Sequence, residues 1–320
     1  MKNNWRIWVV GWLILVVLGS AFYWFIQGTR RHFAHARQER QLTLLPARFT
    51  NTLGQIFVRV PGTEAGFCLW KTRVQDFSGY LRENGMATNL RTLYAPGSNG
   101  WSGVEATWSD PVFAPGPLYP VCGVTWFQAT DFCRWLTERE HAAGDLDPHL
   151  VYRLPTDAEW SLAVTQLKFP WGSQWPPLDN TANLGGEETR SLLVGQRTSP
   201  IANYRDGFER TSPVGSFGPN PRGLYDMAGN LNEWCEDWYT KELNDPSRRA
   251  KHAWMNGDGG GQVCKVLRGS SWMDHDPGRI ASSTRFFFSP DIALTFVGFR
   301  VVLGLDTNAV PSTHPATAQH

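Results

Sequence analysis

The sequence lacks a surplus of either charge: 30 Lys+Arg stand against 29 Asp+Glu in 320 residues. Near-neutrality removes the basic footprint that nucleic-acid binders carry, so nucleic acid is not an expected partner. Cysteine is also scarce. The five residues (Cys68, Cys122, Cys133, Cys235 and Cys264) are far apart and odd in number. That excludes a zinc-type spacing and a dense disulfide framework. They read as small buried thiols, and a bridge such as Cys122–Cys133 stays open if the domain is exported. Several catalytic templates are missing too. No Gly-x-x-x-x-Gly-Lys phosphate loop, His-Glu-x-x-His helix or Gly-x-Ser-x-Gly elbow occurs, and no fixed-period repeat is apparent.

What is present is aromatic and turn-rich. There are 16 Trp, 31 Gly and 21 Pro, within a 42% hydrophobic composition. Rigid anchors joined by many turns predict a loop-rich fold with a sizeable core. The length allows one large domain or two small ones.

Residues 7–26, IWVVGWLILVVLGSAFYWFI, carry no charge. At about 1.5 Å per residue such a helix spans roughly 30 Å of hydrocarbon. The competing reading is a signal peptide cleaved near Gly19-Ser20-Ala21, but the apolar run continues past Ala21. The expectation is a single-pass membrane anchor over 1–28 and a basic linker over 29–48. The flanking charges lean slightly toward a cytoplasmic domain, and the short N-terminal flank toward an exported one. The extracytoplasmic side is the expectation, with the orientation left open. Residues 306–320 are nearly devoid of apolar side chains and read as a disordered tail.

Two helices announce themselves. Thr125 and Gln128 form a capping box ahead of Ala129, Phe132, Cys133 and Leu136. Thr156 and Glu159 repeat the device ahead of Trp160, Ala163 and Val164, so capping accounts for Thr156, Asp157 and Glu159. IFVRV at 56–60 reads as a strand ended by Pro61-Gly62. NGDGGGQ at 256–262 reads as a glycine-rich hairpin loop. Asp226, Glu236 and Asp237 are expected to pair with Arg268, Arg285 and Arg300 in a Trp-rich interior.

Five stretches then stand in a familiar order: RLPTDAEW (153–160), FPWG (169–172), GLYDMAGNLNEWCEDWY (223–239), VLRGSSW (266–272) and VGFRVV (297–302). Together they resemble the formylglycine-generating-enzyme family of sulfatase-modifying factors. The resemblance covers 49–305, with WKTRVQDFSGYL (70–81) similar to the family's early helix. It implies one α+β domain, loop-rich and related to the C-type lectin fold, with structural calcium. By the same resemblance, one calcium site would use Asn183, Leu184, Asp206 and Phe208. A second would use Gly229, Asn230, Leu231 and Glu233. Carboxylate, amide and carbonyl oxygens are what this hard cation takes.

The family's oxidising members hold Cu(I) with two cysteines after the Gly-Gly-Ser-Trp/Tyr motif, since soft copper favours sulfur. Here the motif is Gly269-Ser270-Ser271-Trp272, and the two positions fall on Asp274 and Arg279. Neither binds Cu(I), so copper is not expected. Asp274-His275-Asp276 could form a metal or acid–base centre, a ligand surface or a turn. The following Pro-Gly favours the turn. The reading is a membrane-anchored binding or accessory module without confident catalytic residues. It would recognise a protein or glycan around Trp101, Trp108, Trp272, Asp274 and His275, and the pocket candidates are Trp272, Asp274, His275 and Arg279. The alternatives are an oxygen-dependent oxidoreductase with other metal chemistry and a structural part of an envelope assembly.

Overall fold

The computed structural model describes residues 45–86, 91–97, 100–106, 108, 114–193, 198–239, 251–252 and 262–306, with Tyr23, Ile26 and Gln27. The expected anchor therefore lies almost entirely outside the described residues, as do 307–320 and most of the glycine-rich stretch. Among the described residues no helix is long and apolar enough to cross a membrane.

In chain order the strands are β1 Arg48–Thr50, β2 Ile56–Arg59, β3 Ala65–Cys68, β4 Arg91–Gly97, β5 Gly100–Ala106, β6 Leu150–Arg153, β7 Asn232–Trp238, β8 Lys251–His252, β9 Gln262–Val263, β10 Lys265–Arg268, β11 Arg285–Phe288, β12 Val297–Gly298 and β13 Val302–Leu305. The helices are α1 Val74–Glu83, α2 Trp126–Ala143, α3 Asp157–Val164 and α4 Pro277–Ile280. One sheet has the order β1-β2-β3-β13-β6, and another β11-β10-β7-β12. The last strand, β13, is inserted mid-sheet, with Val302 opposite Phe67 on one side and Arg153 on the other.

The two capping boxes form as the spacing predicts. Thr125 accepts from Gln128 N, and Thr156 accepts from Glu159 N. α2 ends on Gly144 at φ +76°, the left-handed conformation that glycine adopts without a Cβ clash. The early helix begins at Val74 rather than at Trp70. Arg73 is extended, and the Asp76 carboxylate bonds back to its backbone N–H and guanidinium. Phe77, Phe132 and Phe299 meet with ring centroids 5.4–6.3 Å apart, joining α1 and α2 to the chain just before β13.

A second cluster gathers Phe67, Trp160, Leu224, Met227, Cys235, Val266 and Val302 between the sheets and α3. A third holds the loops, with Phe169, Ala182, Leu184, Ile201, Tyr204, Ala228 and Ile280. All five cysteines are buried, as expected. Cys133 is a free thiol, so the Cys122–Cys133 bridge is not formed. Burial pushes the Cys68 thiol up to about 12, which makes it inert as a nucleophile.

The arginine pairing differs from expectation. Arg268 and Arg285 both pair with Asp157, and Arg300 pairs with Glu233. Asp157, read from sequence only as a capping-region residue, is 3% exposed and anchors two guanidinium groups. Two fork-shaped cations satisfy one buried carboxylate from both of its oxygens.

Candidate functional site

The segment after β10 turns sharply at Gly269, whose φ of +72° brings the backbone against Met227 and the Trp160 ring. Ser271 then donates its N–H and its hydroxyl to Asp274 Oδ2, at 2.8 and 2.9 Å. The other oxygen, Oδ1, accepts from Arg279 Nε at 2.6 Å. Asp276 caps α4 by accepting from the N–H groups of Gly278 and Arg279. The Asp-Pro-Gly turn is thus the start of a single helical turn, which aims Arg279 back at Asp274.

The three side chains of Asp274-His275-Asp276 go separate ways. Asp274 is 2% exposed, Asp276 faces solvent, and His275 lies between, with Nδ1 3.1 Å from the Met273 carbonyl and Nε2 against the Thr198 hydroxyl. They do not converge on a common point. Among the described residues no three His, Cys, Asp or Glu side chains gather as a cluster.

One residue of the expected recognition surface is corrected. Trp272 is buried, and its indole N–H has no partner. Trp108 stands edge-on to Phe77 in the aromatic cluster, and its indole N–H is likewise without a partner. Trp101 lies on β5, with its side chain outside the described residues. What the loop displays is Arg279, its side chain 52% exposed and its guanidinium 4.6 Å from the Phe286 ring centroid.

The first candidate calcium set lies beside this loop. Gly185 donates to the Asp274 carbonyl, and a Cβ on Gly185 would stand 3.0 Å from the Met273 carbonyl. Asp206 accepts from Leu184 N and Phe208 N, which ties both halves of the set to one carboxylate. Asn183 is 1% exposed, and its Oδ1 has no hydrogen-bond partner. An orphaned buried acceptor beside a carboxylate is what a cation-binding cradle would leave. These residues fit calcium.

The second set does not. Asn230 Oδ1 accepts from Ser212 N, and its backbone carbonyl accepts from Trp272 N. Glu233 is fully buried and faces two cations of the chain itself. Lys71 Nζ donates to Oε1 at 2.6 Å, Arg300 reaches both oxygens at 2.8–3.2 Å, and Trp160 Nε1 donates to Oε2 at 3.0 Å. Gly229 N–H is taken by the Ser270 hydroxyl. The one carboxylate of this set is already held by two cations, and both oxygens of Asn230 accept from N–H groups.

Burial alone would raise the Glu233 carboxyl, but Arg300 and Lys71 reverse this and lower it from 4.5 to about 2. A carboxylate with a depressed folded-state pKa contributes stability above its unfolded value, and loses it as pH falls toward the folded one. Acid titration followed by tryptophan fluorescence is therefore expected to show stability falling between about pH 4.5 and 2. Glu233→Gln should remove that part of the pH dependence. An unchanged profile in the variant would remove Glu233 as its source.

A comparison with protein families matches residues 60–305 to the sulfatase-modifying factor enzyme 1-like domain. The chain belongs to this family. Among its relatives is the formylglycine-generating enzyme of Thermomonospora curvata, 29% identical over 67% of this chain and 67% of that protein. The inactive C-alpha-formylglycine-generating enzyme 2 of Bos taurus is 31% identical over 76% of this chain and 69% of that one. Serine/threonine-protein kinase pkn1 of Chlamydia caviae is 34% identical over 61% of this chain, a region amounting to 26% of the kinase. The solved structure of PvdO from Pseudomonas aeruginosa has the same fold, with a TM-score of 0.54 at 20% identity over 82% of this chain and 99% of that one. The mixed helix-and-sheet architecture is that of the formylglycine-generating-enzyme family. Sequence reasoning found the family's motifs but missed Lys71. Its only signal was a lysine in an otherwise apolar run just ahead of a helix.

Proposed function

We propose that this chain is a member of the sulfatase-modifying-factor family that does not generate formylglycine. It acts as a binding or accessory domain, anchored through residues 7–26 on the extracytoplasmic side, with a protein or glycan ligand and structural calcium at Asn183, Leu184, Asp206 and Phe208. One observation carries the reading. Asp274 and Arg279 stand where the resemblance puts two copper thiolates, and they bond to each other at 2.6 Å. A carboxylate–guanidinium pair has no sulfur to offer Cu(I). The Cys68 and Cys133 thiols are buried and held well above the range in which thiolate forms. The pair also leaves a half-exposed guanidinium over an aromatic ring, a common form of recognition group.

The test is to incubate the purified full chain with Cu(I), oxygen and a cysteine-containing peptide, and to look for formylglycine by mass spectrometry. No conversion is expected. Asp274→Cys/Arg279→Cys is expected to hold one Cu(I) equivalent against a competing chelator that strips the wild type. Conversion by the wild type would overturn the reading. On a glycan array and in capture from solubilised membranes, Arg279→Ala should lose whatever the wild type retains. A ligand held equally by both would move recognition away from this loop.

A further inference from the structure

Around Glu233 two cationic side chains gather six oxygens of the chain: both carboxylate oxygens of Glu233 and the carbonyls of Asp226, Tyr225, Cys68 and Leu69. Glu233 is the one carboxylate of the second calcium set that the resemblance implies, and a calcium ion there would need it. Lys71 Nζ bridges the Asp226 carbonyl at 2.7 Å and Glu233 Oε1 at 2.6 Å. Arg300 takes the Cys68, Leu69 and Tyr225 carbonyls at 2.7–2.9 Å. Lys71 and Arg300 are 1% and 0% exposed. The Asp226 side chain, 7% exposed, turns instead to Gly215 N. A divalent ion added beside Glu233 would face both Lys71 and Arg300 in a dry interior.

We infer that Lys71 is the resident cation of the family's second calcium position, so this chain takes one calcium ion rather than two. The ammonium, tethered to the chain, does by hydrogen bonding what the metal would do by coordination. It draws the Asp226 carbonyl and the Glu233 carboxylate to one point, and so holds the 223–233 segment against the approach to α1. This half of the domain is then independent of calcium supply. Calcium dependence is confined to the loop bearing Asn183 and Asp206. The count of one rests on the calcium reading given above; the role of Lys71 does not.

Calorimetric titration of the full chain with calcium is the test. The wild type is expected to bind one equivalent, Asp206→Asn none, and Asp206→Asn/Lys71→Ala one again. Asp206→Asn/Lys71→Arg, which restores the charge, should bind none. An equivalent that survives in Asp206→Asn with Lys71 intact overturns the inference, as does a folded Lys71→Ala variant that gains none. Where Lys71→Ala does not fold with or without calcium, the Asp206→Asn titration alone decides. A wild type that binds no calcium, with binding gained on Lys71→Ala, would remove the Asn183–Asp206 site and leave the Lys71 assignment standing.

Discussion

Arg300→Met is expected to destabilise the domain by about 3–5 kcal/mol, the range for removing one partner of a buried ion pair. The guanidinium is 0% exposed and donates to Glu233 and to three backbone carbonyls. Methionine fills much of the volume but leaves those carbonyls without their donor. Lys71 remains to hold Glu233, which keeps the cost from rising further. For a domain of this size the loss should lower the melting temperature by on the order of 10 °C. The control is Arg134→Ala, since the Arg134–Asp131 pair has side chains 65% and 44% exposed. Exposed pairs contribute about 0–1 kcal/mol, so that variant should melt close to the wild type. Equal shifts in the two variants would mean that the interior pair carries no special weight.

Gly229→Ala should be nearly as damaging, for a steric reason. Gly229 has φ +82°, and a Cβ there would sit 2.1 Å from the Asn183 carbonyl oxygen. That carbonyl accepts from Asn230 N at 2.9 Å, so the two loops touch backbone to backbone. The left-handed conformation costs alanine about 1–2 kcal/mol, and the overlap adds roughly 1–3 more as the loops separate. Gly207→Ala isolates the first part. It has φ +87° but nothing within 4 Å of its would-be Cβ. Urea unfolding should place Gly207→Ala about 1 kcal/mol below the wild type and Gly229→Ala well below that. If the two variants unfold together, the contact with Asn183 does not constrain the fold.

Local signals survived the passage from sequence to structure best. Capping boxes at Thr125 and Thr156 depend on residues three apart, and both formed where the spacing placed them. The family motifs also located the Asp274–Arg279 segment. Long-range partners were not legible. Arg300 and Glu233 are 67 positions apart, and Arg268 and Asp157 are 111 apart. Periodicity says nothing about which carboxylate a buried guanidinium will meet, so the right kind of pairing was expected with the wrong partners. Trp272 was misjudged similarly: an indole suits a surface or a core equally, and only packing decides.

The position of β13 bears on the order in which the domain can be made. Its neighbours β3 and β6 are both translated long before it, yet neither touches the other in the finished sheet. Until residues 302–305 emerge, the first three strands and β6 each present an open edge. The domain cannot close progressively from its N-terminus as the ribosome advances. It waits for residues 302–305, so while the chain is still being made its first sheet stays unassembled.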